Sequence, residues 1–261
     1  MLTAAQVQQF QNDGFLLGSR VIDDQQVEVL RNELTRVIDT EPVGENGPFR
    51  IVNLHSDQKT PVWQILNIWL KSEPFKQLLF NQVITEEIAQ LTGGREVRLW
   101  HDQIQYKPAG IGGVNMWHQD HPYWANIKPA VQVSAWVALD DVDASNGCMS
   151  MVPGSHLWGN QISFLHTLKS FDAMPKEHAG HAIEVRLAPV RKGHVHYHHA
   201  LTWHGSHANT SGRPRRAIAL HYMPEQTLHV AAGAHPLKSF ITVPDGAPMA
   251  GEYFPLVWPR K

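Results

Sequence analysis

Apolar positions in the first ninety or so residues recur at helical spacing. Val27, Leu30, Leu34 and Val37 fall on one face of a helix that Asp23 or Asp24 can cap. Val83, Ile84, Ile88 and Leu91 mark a second helix, closed by Gly93-Gly94. Phe15, Leu16 and Leu17 follow Gly14 as a short apolar piece that reads as an edge strand. From Val97 onward the period changes. Segments 97–105, 130–139, 147–152, 183–187, 194–198 and 217–222 are short, β-rich runs separated by Gly, Pro, Asn and Asp. In the second of these, Val131, Val133, Ala135 and Val137 alternate with Gln132, Ser134, Trp136 and Ala138, so one face meets a core and the other a differently lined space. Many short strands spaced this way predict a jelly roll or barrel. No repeat or composition break divides the chain, so one domain over 1–261 is expected: a mainly helical cover over 1–95, a β core over 96–225, and a Pro- and Gly-rich C-terminal tail over 226–261.

Composition narrows the class of partner. With 261 residues, 43% of them hydrophobic, the chain can bury one substantial core. Its 22 basic and 24 acidic residues nearly balance, so no general attraction to nucleic acid or to an anionic membrane is implied, and the partner expected is a small-molecule substrate in a pocket. No apolar run approaches the roughly 18 residues that span a bilayer. Cys148 is the only cysteine, and the opening residues lack the charged-then-apolar pattern of a secretory signal, which together predict a cytoplasmic protein. The outlier is histidine, 17 in all and dense between His194 and His221, which asks for a metal or proton chemistry without specifying either.

One short segment offers that chemistry. In His118-Gln119-Asp120 an extended backbone turns the imidazole and the carboxylate the same way and Gln119 aside. A histidine from a distant strand would complete a two-histidine, one-carboxylate set that leaves three adjacent metal positions open and suits Fe(II) oxygenases. A second cluster has His204-Gly205-Ser206, then Asn209, Ser211, Arg213, Arg215 and Arg216 before the run 217–222. His194, His196 and His198 share a strand face, where hydrogen-bonded burial is the ordinary reading and a second metal site the sharper one. His198 and His199 can neighbour the metal, while His121, Tyr123 and Trp124 can face a substrate. Ser155 and His156 read as loop anchors, since no nucleophile-elbow pattern surrounds the serine.

WHQD at 117–120, NGCMSMVPGSH at 146–156 and HGSHANTSGRPRRAIALHY at 204–222 resemble, in order, the motifs of the phytanoyl-CoA dioxygenase family of Fe(II)/2-oxoglutarate-dependent oxygenases, and the likeness covers most of the chain. The resemblance implies a mainly β fold with flanking helices, the double-stranded β-helix or cupin-like jelly-roll barrel. It implies Fe(II) held by His118, Asp120 and His204, the third of these in the HGS turn, with 2-oxoglutarate and O2 as cosubstrates and Arg215 on the C5 carboxylate. A guanidinium suits that task because it donates two parallel hydrogen bonds and stays charged when buried. Strand alternation turns Arg216 away from Arg215, and Arg213 lies before Pro214. Gln103 and Trp136 resemble further residues of the cosubstrate pocket. Halogenases of related architecture lack the ligating carboxylate, so Asp120 points to hydroxylation or a related oxidation. The helical region to about residue 95, with Trp63, Trp69 and the loop 125–128, is expected to shape the substrate pocket. Two other readings differ in kind: a cupin-like metal protein acting as hydrolase, isomerase or sensor without 2-oxoglutarate, and a β-sandwich binding module with structural histidines.

Overall fold

The computed structural model describes residues 1–44, 47–55 and 59–259, so the last two residues of the expected tail lie outside the described residues. Among the described residues four helices flank the β structure, α1 (Ala4–Asp13), α2 (Asp24–Thr40), α3 (Glu73–Leu79) and α4 (Gln82–Thr92), and a one-turn helix, α5 (Ile162–Leu165), follows later in the chain. Asp23 caps α2 by accepting from the Gln26 N–H while the Gln26 side chain accepts from the Asp23 N–H, a capping box. Gly93, at φ 65°, ends α4 in the left-handed region that glycine adopts without a Cβ clash.

Strands in the first half are β1 (Phe15–Arg20), β2 (Arg50–Asn53), β3 (Trp63–Leu66), β4 (Val97–Lys107), β5 (Asn115–His118), β6 (Ile127–Lys128), β7 (Val133–Ala138) and β8 (Met149–Met151). The second half adds β9 (Glu177–His178), β10 (His181–Ala182), β11 (Arg186–Ala188), β12 (His194–His199), β13 (His204–Ser206), β14 (Arg215–Pro224), β15 (Leu228–His229) and β16 (Leu256–Trp258). The large sheet runs β1-β12-β7-β14-β4-β3-β2, with β16 pairing with β4, and the small sheet runs β11-β8-β13-β5. Every pairing is antiparallel. This is the jelly-roll double-stranded β-helix.

Alternation decides which residues meet which core. On the outer face of the large sheet Val133, Ala135 and Val137 of β7, with Ile218, Leu220 and Tyr222 of β14, bury against Val27, Leu30, Leu34 and Val37 of α2 and Ile84, Ile88 and Leu91 of α4. Each fully buried aliphatic there contributes about 1.5–3 kcal/mol. On the inner face Trp136 and Ala138, with Ala217 and Ala219, close over Met149 and Met151 of the small sheet. Along β4 the register with β14 slips between His221 and Tyr222, whose partners are His101 and Leu99. That bulge shifts the alternation by one, so Leu99 and Val97 reach the same outer core as Ile104.

The edge strand expected at Phe15–Leu17 forms as β1. The cover over 1–95 is less purely helical than the pattern predicts, because β2 and β3 extend the large sheet. The strand expected over 217–222 begins at Arg215, so both Arg215 and Arg216 lie in β14. The tail packs over the core: Leu237, Met249 and Phe254 cluster with Trp100 and Trp124.

Candidate metal centre

His118 ends β5 and His204 begins β13, and the two are direct partners in the antiparallel register of the small sheet. Their rings lie 4.1 Å apart between centroids. His204 thus sits at the head of a strand rather than in a turn. Extended backbone ends at β5, and Asp120, with helical φ −73° and ψ −49°, opens the 3-10 turn His121–Tyr123. Asp120 still faces the histidines: its Oδ1 lies 3.7 Å from His118 Nε2 and 3.6 Å from His204 Nε2. Gln119 turns aside as expected and donates to the Gly159 and Leu201 carbonyls.

Each histidine of the pair has its other ring nitrogen beside a carbonyl two residues earlier, His118 Nδ1 at 2.8 Å from Met116 O and His204 Nδ1 at 2.9 Å from Thr202 O. A carbonyl only accepts, so Nδ1 carries the proton and Nε2 keeps its lone pair for a cation, the usual outer support of a ligating imidazole. Burial pushes His204 down to about 3, which keeps that lone pair free. Burial alone would raise the Asp120 carboxyl, but the hydrogen bond from His198 helps to hold it well below the usual carboxylate range. Among the described residues His118, Asp120 and His204 form the one such group that can hold a metal ion. His194, His196 and His198 do not form a second one. His196 stacks on Phe15, His198 turns to Asp120, and His194 Nδ1 lies 3.3 Å from Lys192 O.

A narrow inner cleft adjoins the three residues, lined by Gln103, Trp136, Arg215 and Ser206 among others. Arg215 is fully buried, and none of its three guanidinium nitrogens has a hydrogen-bond partner. The Trp136 ring faces it, with the ring centroid 5.2 Å from the guanidinium carbon. Burial pulls the Arg215 pKa down to about 10. Leaving a buried cation unpaired costs several kcal/mol, so the cleft is built for an anion. Arg216 points outward and pairs through Nε and Nη2 with Asp140 at 2.9 and 2.7 Å, and Arg213 pairs with Asp143.

A wider cavity of about 640 Å³ opens on the other side of the candidate ligands, lined by His118 and Asp120 but not by His204 or Arg215. Its walls differ from the expected ones. Helices α1 to α4, Trp63, Trp69 and residues 125–128 are absent from it; alternation on β3 turns Trp63 to the helical core and gives Gln64 and Leu66 to the cavity. Tyr123, Trp124, His166 and the tail residue His235 complete the wall, while His121 turns away, its Nε2 at 3.2 Å from Ile127 O. Ser155 and His156 anchor loops, the serine between Val152 O and Trp203 N, the histidine on Gln11 O. Sequence reasoning missed His101, Ser134 and His221, which line this space or neighbour Asp120; only their inward parity on predicted strands could have marked them.

The family model for phytanoyl-CoA dioxygenase (PhyH) matches residues 10–217. A phytanoyl-CoA dioxygenase domain-containing protein 1 homolog of Caenorhabditis briggsae is 24% identical, over 84% of this chain and 90% of that protein. The non-heme α-ketoglutarate-dependent carbocyclase SnoK from nogalamycin biosynthesis superposes with a TM-score of 0.80 at 25% identity, over 98% of this chain and 96% of its own. The epimerase SnoN in complex with Fe3+, α-ketoglutarate and nogalamycin RO gives 0.72 at 22% identity, over 97% of each chain. With four-fifths of its length matched in one family, the chain belongs to the phytanoyl-CoA dioxygenase family, in the general class of iron- and 2-oxoglutarate-dependent oxygenases.

Proposed function

We propose that this chain hydroxylates a small organic molecule, with Fe(II) held by His118, Asp120 and His204 and 2-oxoglutarate anchored by Arg215. The observation that carries the reading is Arg215: a fully buried guanidinium with three unpartnered nitrogens, in a cleft that also holds all three candidate ligands. A metal protein that did not use a dicarboxylate would have no use for that charge. The donor set fits ferrous iron, since two imidazoles and one carboxylate leave three adjacent positions open.

When bound, the iron and 2-oxoglutarate supply O2 activation, coupling oxidative decarboxylation to succinate and CO2 with oxidation of a substrate C–H bond. The chain supplies placement. Arg215 would hold the far carboxylate, Trp136 covers the guanidinium, and the Trp136 and Gln103 side chains offer further polar contacts along the cleft. The wider cavity, which His118 and Asp120 line, would admit substrate to that edge of the site. Among the described residues its walls carry amides, imidazoles and apolar groups, with Arg50 and Asp120 the charged side chains other than histidine, which favours a small metabolite over a polyphosphate-bearing thioester. The carboxylate of Asp120 occupies the place that a halide-transferring site leaves open, which favours oxygen transfer. Cys148, buried and free, accords with a reducing cytoplasm.

Anaerobic titration of the Fe(II)-loaded protein with 2-oxoglutarate tests the site. Chelation through the 1-carboxylate and 2-oxo groups gives a weak visible charge-transfer band. The band is expected in the wild type, and Arg215→Ala should need at least about 100-fold more 2-oxoglutarate, the loss of a charge-assisted bidentate pair. Iron binding without any band would leave the non-oxidative metal-protein reading in its place.

A further inference from the structure

Asp120 is held from both sides of the barrel, and the two sides use different oxygens. Oδ1 faces His118 and His204, the cross-strand pair of the small sheet. Oδ2 faces the large sheet, where His198 Nε2 lies at 3.3 Å and the Ser134 hydroxyl donates at 3.4 Å. His198 on β12, Ser134 on β7, His221 on β14 and His101 on β4 are successive partners in register, so they form one transverse row across four strands. Ser134 and His221 touch at 2.6 Å.

Proton placement along the row follows from its partners. His198 Nδ1 is buried with no hydrogen-bond partner, so a proton there would be stranded, and the ring carries its proton on Nε2, where Asp120 accepts it. With the Ser134 hydroxyl donating to Oδ2, its oxygen is left to accept from His221 Nδ1. Two donors therefore converge on the oxygen that points away from the ligand histidines. We propose that His198 and Ser134 are positioning residues that keep Asp120 a one-oxygen ligand and so preserve the third open position of the site. Without them Oδ2 is free to swing toward the metal and chelate through both oxygens. The inference rests on the metal reading above.

Cobalt(II) is the probe, because the intensity of its visible bands reports coordination number without turnover. The full-length chain is titrated with Co(II) against a competing chelator as wild type, His198→Leu, His198→Gln, Ser134→Ala and Asp120→Ala, each checked for folding by circular dichroism. His198→Leu should bind Co(II) about 10–100-fold more weakly, as loss of an outer-sphere partner does, with altered band intensity. His198→Gln, whose amide nitrogen reaches the Nε2 position, should stay near the wild type in both readouts. Ser134→Ala should shift the same way by a smaller factor, and it carries the test should His198→Leu not fold. Wild-type affinity and spectrum in His198→Leu and Ser134→Ala would overturn the proposal, as would equal losses in the Gln and Leu variants. Tight binding that survives Asp120→Ala, or no binding by the wild type, would remove the metal reading and this inference together.

Discussion

Arg215 and Arg216 are neighbours in sequence and opposites in energetics. Arg216 lies between sheet and helix, where Asp140 accepts from its Nε and Nη2 and also from Arg31 of α2. Arg215 lies inside with nothing to donate to. The two should therefore separate stability from ligand binding. Arg216→Met breaks a half-buried bidentate pair and is expected to destabilise the protein by about 2 kcal/mol with little change in 2-oxoglutarate affinity. Arg215→Met removes an uncompensated buried charge, so the ligand-free protein should melt at the same or a higher temperature while 2-oxoglutarate binding collapses. Thermal melts with and without 2-oxoglutarate distinguish them, and a large drop in the ligand-free melting temperature of Arg215→Met would show a structural partner for the guanidinium. This contrast was legible in the sequence, because period two on a strand is enough to send adjacent arginines to opposite faces. That His198 could neighbour the metal was legible too, but its pairing together with Ser134 on Oδ2 of Asp120 was not, because that depends on register between strands 64 residues apart in the chain.

At the scale of elements, the candidate ligands depend on two strands of three and four residues. β5 and β13 are too short and too polar to show a period, which is why the sequence pattern marked the longer strands around them and left HGS as a turn. Their contact is instead enforced by glycine. A Cβ on Gly205 would lie 2.8 Å from Asn115 O and 2.9 Å from the Phe171 ring, so only a bare Cα lets β13 approach β5 while the register slips between His204 and Ser206. Gly205→Ala should push the strands apart and separate His204 from His118. Co(II) or Fe(II) affinity is expected to fall at least about tenfold, with a stability loss of about 1–3 kcal/mol from overpacking. Retained metal affinity in a Gly205→Ala protein would mean that the ligand pair does not rely on this close approach. β2 and β3 were hidden for a related reason, being four-residue strands whose sequences mix apolar and polar positions and gain their place only by adding to β4.

Across the whole molecule, the histidine excess that composition flagged becomes a pH dependence. Burial is the main cause that pushes His101 and His199 down to about 3, and it drives His196 well below the usual imidazole range. All three are neutral in the fold, whereas in the unfolded chain they titrate near 6.5. A base with a depressed folded pKa lends its stability fully above the unfolded value and loses it as pH falls from about 6.5 toward 3, because the unfolded chain then binds the additional protons. Asp102 acts with the opposite sign. Its carboxyl accepts from the Ile68 and Trp69 N–H groups, yet burial raises it to about 7, so its contribution is present below about 4 and fades as pH rises through 7. Each pKa unit is worth about 1.4 kcal/mol, and three imidazoles stand against one carboxyl, so acidification from pH 7 to 5 should lower the melting temperature. His101→Asn isolates one member: its amide can still donate to the Asp102 carbonyl that faces His101 Nδ1, but it cannot take up a proton, so the variant's melting temperature should fall less steeply over that interval. A melting temperature that is flat or rises between pH 7 and 5 in the wild type would mean that the buried imidazoles are already relieved by water or by charge partners, and the neutral histidine interior would have to be given up.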